Sequence, residues 1–484
     1  MRIPTQTDVR TAFDNGLPEL APPRRVVVIG AGVAGLATAY ELARRGTEVT
    51  VLEAADRAGG RARTLREPFA DGLYAEAGAM TVSPHCHYTL HYIRELGVDL
   101  APSDLLDTTF SYYLRGRFAT PDGTSLARLG LSLNPAEEGM DVAQLMDTYV
   151  QSLCRELQPD LDAANWEVTE RLAPYDRRSV AEVLRDRGAS EAAIGLLDPF
   201  FLEMRGGDLQ SASALSWLRY ESSGHSMIKA GTSWSKIKGG TDRLPAAFAD
   251  RLKGHIHYRS PVVRVQQDDD GARVTAAAQG GLRTFEADRV VVTVPFSAIR
   301  HIDFSDARLS RAKSAAMRQL RYASVVRVYL QMRRQFWKGF RVSISTDLPI
   351  RWIRDATPDQ AGPRKIVECM MTGQRARAVA AMSEEERLRF TLDHLETFLP
   401  GANEHFETGT SVVWDRAPHI EGAYILPEPH HAELMPAVRA PEGRIHFAGE
   451  HTSFEPNGGA MTFAFESAAR ALLELGLAEA TAQP

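Results

Sequence analysis

Behind two arginines and ahead of a glycine-rich turn lies a four-residue apolar run, Val26-Val27-Val28-Ile29. A run without alternation suits a strand buried on both faces, as in a parallel sheet. The Ala- and Leu-rich stretch from Leu36 to Arg45 reads as a helix that Gly46 stops, and Glu48 to Glu53 reads as a second strand. Together they predict a βαβ unit of about thirty residues. Ahead of it, residues 1–23 are polar and proline-containing and read as an extension. Helical periodicity marks Cys86–Leu96, Val142–Leu157, Val180–Arg187 and Ala189–Leu197, so this part of the chain is expected to be mostly helical. Strand patterns return at Pro261–Val265 and Arg273–Ala277, joined by a turn at Asp268-Asp269-Asp270-Gly271, and again at Asp288–Pro295. Val325–Met332, Lys365–Met371 and Thr410–Trp414 read as strands of a second sheet, with a charged helix from Ser383 to Phe398 between the last two. Near the end, Arg444–Glu450 reads as a strand and Ala460–Leu475 as a helix.

Alternation is cleanest in Val325–Met332. Val326, Val328, Leu330 and Met332 form a core face, while Arg327, Tyr329 and Gln331 share the opposite face with Val325. That second face is either wet surface or the wall of a polar cavity.

Composition narrows the partners. The 484 residues are 44% hydrophobic and 24% charged, ordinary for a globular protein. Acidic residues exceed basic ones by 62 to 56, an excess too small and dispersed to point to nucleic acid or a membrane surface. No apolar run reaches the ~18 residues of a spanning helix. The N-terminal stretch has no apolar signal core, so a cytoplasmic location is expected. Three scattered cysteines, Cys86, Cys154 and Cys369, make neither a disulfide scaffold nor a zinc site. His85, His87, His430 and His431 lack companions for a metal site, so none is expected. Asp268–Asp270 lacks the alternation of a calcium loop, and Arg205 reads as an ion-pair partner of Glu203 or Asp208.

The chemistry-bearing motif is Gly30-Ala31-Gly32-Val33-Ala34-Gly35, between the first strand and its helix. Gly30 permits the tight turn, Gly32 lets backbone N–H groups approach a pyrophosphate, and Gly35 lets helix and strand pack closely. The N–H groups at the helix start, including those of Val33 and Ala34, favour phosphate. Glu53, 18 residues after Gly35 and followed by Ala54, is placed to accept hydrogen bonds from a ribose. The context therefore predicts a dinucleotide site.

The continuation Glu53-Ala54-Ala55-Asp56-Arg57-Ala58-Gly59-Gly60-Arg61 resembles the second FAD-binding segment of the flavin amine oxidase superfamily. Phe447-Ala448-Gly449-Glu450-His451-Thr452, with Gly459-Ala460-Met461, resembles its last one. Tyr74-Ala75-Glu76-Ala77-Gly78-Ala79-Met80 is similar to the segment over the flavin ring, and Lys238–Pro245 to the element returning the chain to the FAD domain. Val262 matches an adenine-contacting position, and Thr346–Ile353 is similar to a segment of the L-amino-acid oxidase branch.

The resemblance implies an α/β fold in which an FAD-binding Rossmann-like domain is interleaved with a mixed-sheet substrate domain and a helical insertion. The expected division is 24–85, 236–300 and 430–484 for FAD, 86–235 for the helical domain and 301–429 for the substrate sheet. It further implies FAD contacts at Gly60, Arg61, Gly78, Ala79, Met80, Gly449, Glu450 and Met461. FAD is expected to be noncovalent, since the segment lacks the cysteine that carries it in monoamine oxidases. Oxygen is the expected acceptor and a homodimer the family's frequent assembly.

Four substrate-side positions depart from the family. Its carboxylate-binding arginine is replaced by Thr81, its aromatic cage aligns with Met370 and Ala460, and its lysine near the flavin is Arg327. Tyr424, in Glu421-Gly422-Ala423-Tyr424, falls in a segment that lines the flavin pocket in the family, whereas Trp414 reads as core. The expectation is oxidation of a C–N bond in a bulky amine, amide or modified amino acid, by hydride transfer to flavin N5. Alternatives are a dehydrogenase, desaturase or oxidative cyclase with weakened oxygen reactivity, and a flavin-binding scaffold that has lost catalysis.

Overall fold

The apolar run Arg25–Ile29 (β1) is buried at every residue after Arg25, with alternate side chains entering two different cores. Val26 and Val28 face the helix Val33–Ala43 (α2), while Val27 and Ile29 face a three-stranded antiparallel meander. In this computed structural model residues 4–15, 25–103, 111–162, 167–223, 234–337, 343–454 and 459–480 are described, without the side chains of 199–205 and 477–480. Arg205 therefore lies outside the described side chains.

The strands are labelled here in chain order: β2 is Glu48–Leu52, β3 Ser111–Leu114, β4 Arg117–Ala119 and β5 Ile256–His257. The meander follows as β6 (Val262–Gln267), β7 (Ala272–Ala278) and β8 (Gly281–Ala287). Next come β9 (Arg289–Val292), β10 (Val325–Met332), β11 (Ser343–Thr346), β12 (Trp352–Asp355), β13 (Lys365–Thr372), β14 (Phe406–Val413) and β15 (Ile445–Phe447).

A five-stranded parallel sheet has the order β15-β9-β1-β2-β5. It joins residues near 27, 50, 256, 290 and 446, and the long C-terminal helix Met461–Ala480 (α3) packs against α2. A seven-stranded mixed sheet has the order β14-β10-β13-β12-β11-β3-β4. The helical runs 142–161, 180–186, 191–205 and 214–222 bury Leu145, Leu153, Leu196 and Leu218 in a core of their own.

Two differences from the sequence reading have local causes. Residues 111–119 are strands, inside a stretch expected to be helical. β3 extends the seven-stranded sheet, and its Tyr112 hydroxyl donates to the Leu196 carbonyl at 2.8 Å, tying that edge to the helices. The N-terminal stretch contains a helix, Gln6–Asp14 (α1), opened by a Thr5/Asp8 capping box. Its apolar stripe is short: Val9, Ala12 and Phe13. Phe13 packs edge-on against Tyr88, a partner that no local pattern announces.

Both faces of β10 are buried. Val326, Val328, Leu330 and Met332 pack with Val379, Leu395 and Phe398. The opposite face lies beneath residues 65–80, where Gln331 Oε1 accepts from the Ala70 N–H at 2.8 Å.

Candidate active site

A cavity of about 660 Å³ runs from the glycine turn after β1 to the covered face of β10. At the glycine end the wall is mostly backbone. Gly30 sits at φ +102°, where a Cβ would also meet Thr293 Oγ1 at 2.8 Å. A Cβ on Gly35 would lie 2.0 Å from the Gly30 carbonyl oxygen, so only glycine lets α2 start this close to the turn. Around Gly32, by contrast, no heavy atom lies within 4 Å of the position a Cβ would take. α2 begins there with no side-chain cap, leaving its first N–H groups for an anion. The Glu53 carboxylate is fixed by the N–H groups of Ala31 at 2.6 Å and Ala55 at 2.8 Å.

Gly59 donates its N–H to the Ala31 carbonyl at 2.8 Å, which brings Gly60 and Arg61 alongside the first turn. Arg61 Nη1 reaches across to Glu450 Oε1 at 2.8 Å and to the Ala423 carbonyl at 2.6 Å. Glu450 is buried, and its Oε2 has no hydrogen-bond partner among the described residues. A buried carboxylate oxygen with an unused lone pair suits a hydroxyl donor, such as a sugar or ribityl hydroxyl. An open glycine, an uncapped helix start, a fixed carboxylate and this orphaned oxygen all fit an FAD-like dinucleotide.

At the sheet end charged side chains form the wall. Arg327, 7% exposed, donates through Nη1 to the carbonyls of Glu76 at 3.1 Å and Gly78 at 3.2 Å. Its Nε lies 3.6 Å from Glu368 Oε1, an ion pair too long to be a hydrogen bond. Burial works against the Arg327 charge, but Glu368, with Tyr329 and Tyr424 beside it, more than offsets this and holds the guanidinium protonated. Tyr329 donates its hydroxyl to the same Glu76 carbonyl at 2.7 Å, and burial pushes that phenol's pKa up. Glu368 also pairs with Arg354, Nε to Oε2 being 2.8 Å. Arg354 in turn contacts Met80 Sδ and stacks over the Trp352 ring.

The Glu76 side chain points away from these groups. It accepts from the Thr241 N–H at 2.9 Å and the Thr64 hydroxyl at 2.8 Å, while burial pushes its carboxyl up to about 7. Residues 64, 76 and 241 are thereby tied together behind the Gly78–Met80 segment.

The cavity brings together Gly30, Gly32, Val33, Ala34, Glu53, Ala54, Gly60, Arg61, Gly78, Ala79, Met80, Thr81, Val262, Arg327, Tyr424, Gly449, Glu450, Ala460 and Met461. Two expected site residues stand outside its lining. Gly35 acts one layer back, through the close contact of α2 with the turn. Met370 is cross-strand neighbour to both Arg327 and Trp352, and those longer side chains form the wall while it stays 2% exposed in the core.

Trp352, Trp414, Trp234 and Tyr220 line the cavity without having been expected there. Trp414, read as core, is buried yet reaches the lining, held by its indole N–H to the Ala77 carbonyl at 3.1 Å. The Tyr424 ring is boxed by Gly206 and Gly459, where a Cβ would come within 3.0 Å and 2.7 Å of it. Glu368 and Arg354 were also missed; their signal was a carboxylate and a guanidinium each following apolar residues in a strand, Ile366-Val367 and Trp352-Ile353.

Residues 33–471 match the family model described as flavin containing amine oxidoreductase. The Bacillus subtilis protein YobN is 31% identical over 468 residues, covering 92% of this chain and 94% of its own. An L-amino-acid oxidase of Mus musculus is 30% identical over 481 residues, covering 95% of this chain and 72% of its own. Cyclohexylamine oxidase from Brevibacterium oxydans superposes with a TM-score of 0.78 at 22% identity, covering 95% of this chain and all of that one, a likeness of fold. Among the described residues no helix is long and apolar enough to cross a membrane.

Proposed function

Given that the chain belongs to the flavin-containing amine oxidoreductase family and is an amine-oxidase-like enzyme, we propose that it binds FAD noncovalently and oxidises the C–N bond of a bulky amine, amide or modified amino acid, with oxygen as acceptor. The observation that carries the reading is one continuous cavity, with a dinucleotide cradle at one end and the Arg327 wall at the other. When bound, FAD supplies the hydride acceptor that turns the amine into an imine. Gly30, Gly32 and the start of α2 would hold the pyrophosphate, Glu53 and Glu450 the sugar and ribityl hydroxyls, and Met80 and Met461 the ring region. Trp352, Trp414 and Tyr424 offer apolar faces that position a substrate and exclude water. The Arg327 guanidinium, held protonated, is no proton acceptor, so the substrate nitrogen must enter neutral.

Thr81 supports the departure from simple amino acids, because a lone hydroxyl cannot grip a carboxylate as a guanidinium does. The test is an anaerobic screen in which amines, amides and amino acids are each asked to bleach the bound flavin. Fast turnover of simple L-amino acids would refute the bulky-substrate assignment.

One observation favours a second reading, a dehydrogenase, desaturase or oxidative cyclase with weakened oxygen use. The Arg327 guanidinium is anchored to two carbonyls and Glu368, at the position where the family's lysine stands near the flavin. Photoreduced native protein that air reoxidises as fast as an Arg327→Lys variant argues against this reading.

A further inference from the structure

The wall around Arg327 holds more positive than negative charge. Arg327 and Arg354 share one carboxylate, Glu368, and the three are 7%, 3% and 1% exposed. Among the described residues neither guanidinium is paired with another carboxylate. The phenols of Tyr329 and Tyr424 bring no counter-charge, and the Glu76 carboxylate is turned toward Thr64 and Thr241. Arg354 is closed off by Glu368, Met80 and the Trp352 ring. Arg327 is not: Nη1 is committed to two carbonyls and Nε faces Glu368, but Nη2 has no partner among the described residues, and the side chain lines the cavity. A buried guanidinium with an unused donor edge, in a cluster of net charge +1, is a site for an anion.

Building on the flavin site proposed above, we infer that the substrate carries a carboxylate or a like anion that Arg327 Nη2 binds, with its apolar body against Trp352 and Trp414. The anion anchor thus stands on β10 of the seven-stranded sheet.

The test is a titration of the flavin-loaded protein with 3-phenylpropionate and, separately, its amide, following displacement of the flavin absorption band. Because a hydrogen bond to a charged group is at stake, the acid should bind about tenfold or more tightly than the amide. Arg327→Met should remove that preference and Arg327→Lys should keep part of it, both with flavin content unchanged. Equal affinity of acid and amide in the native protein, no shift with the acid, or a preference that survives Arg327→Met overturns the anchor. The native comparison decides even where Arg327→Met loses its flavin. Failure of every amine to bleach the flavin removes the oxidative reading instead, and leaves the acid–amide comparison standing.

Discussion

At its glycine end the cavity is walled mostly by backbone, with empty space around Gly32 and the uncapped start of α2 presenting N–H groups. At its sheet end the wall is side chain, with Arg327, Arg354 and Glu368 buried against Trp352. The first end depends above all on the absence of Cβ atoms at Gly30, Gly32 and Gly35. The second tolerates ordinary backbone and depends on charge balance. Mutations should therefore act at the two ends through different mechanisms.

The largest effect is expected at the sheet end. Glu368→Gln leaves two buried guanidiniums without a counter-charge, and breaking such a pair costs about 3–5 kcal/mol. Urea unfolding should register it; a loss below 1 kcal/mol would mean that the charge balance is not what holds this wall.

Next comes the glycine end. Gly35→Ala places a methyl against a carbonyl oxygen that cannot yield without moving α2, costing about 1–3 kcal/mol and most of the bound flavin. Gly32→Ala meets no protein atom, so its Tm should stay near the native value while flavin content falls. Equal loss of Tm in the two variants would erase the distinction between packing and ligand space.

A buried cation sharpens the contrast by pH. Lys313 donates to the Val438 carbonyl at 2.9 Å and lies 3.7 Å from the Phe447 ring centroid, and burial pulls its pKa down to about 7. Its ordinary value is 10.5. Between those values the unfolded chain holds the extra proton, so stability rises with pH; below pH 7 both states are protonated and the burial cost is present in full. Lys313→Met should flatten that rise by on the order of 2 kcal/mol between pH 7 and 10, read from Tm against pH. An unchanged slope would place the titration elsewhere.

The smallest change is Arg327→Lys, which keeps the charge and loses the planar fork. Flavin content should hold while anaerobic bleaching slows by about tenfold. A variant as fast as the native protein would show that the fork is dispensable.

The same contrast explains what the sequence disclosed. The glycine end is written in consecutive residues, so β1, α2 and β2 are legible to within three residues, the start of α2 being the least exact, and Glu53 with them. Gly449, Glu450 and Met461 were reached through resemblance at the far end of the chain. The sheet end is assembled across long separations. Alternation in β10 found its two faces but left the Arg327 face open between surface and cavity, because the cover comes from residues 65–80. Trp352 has no role in the sequence reading; alternation sets it beside Arg354 on β12, but its place at the cavity depends on the pairing of β12 with β13. Met370 was misplaced for the same reason. Position in an alignment does not say which of two neighbouring strands carries the longer side chain.

The account rests most directly on the anaerobic absorption spectrum of the purified, flavin-loaded protein titrated with bulky amines and modified amino acids. At least one should bleach the flavin band stoichiometrically with flavin content, and simple L-amino acids should do so slowly. A protein whose bound flavin no amine, amide or amino acid bleaches would contradict it.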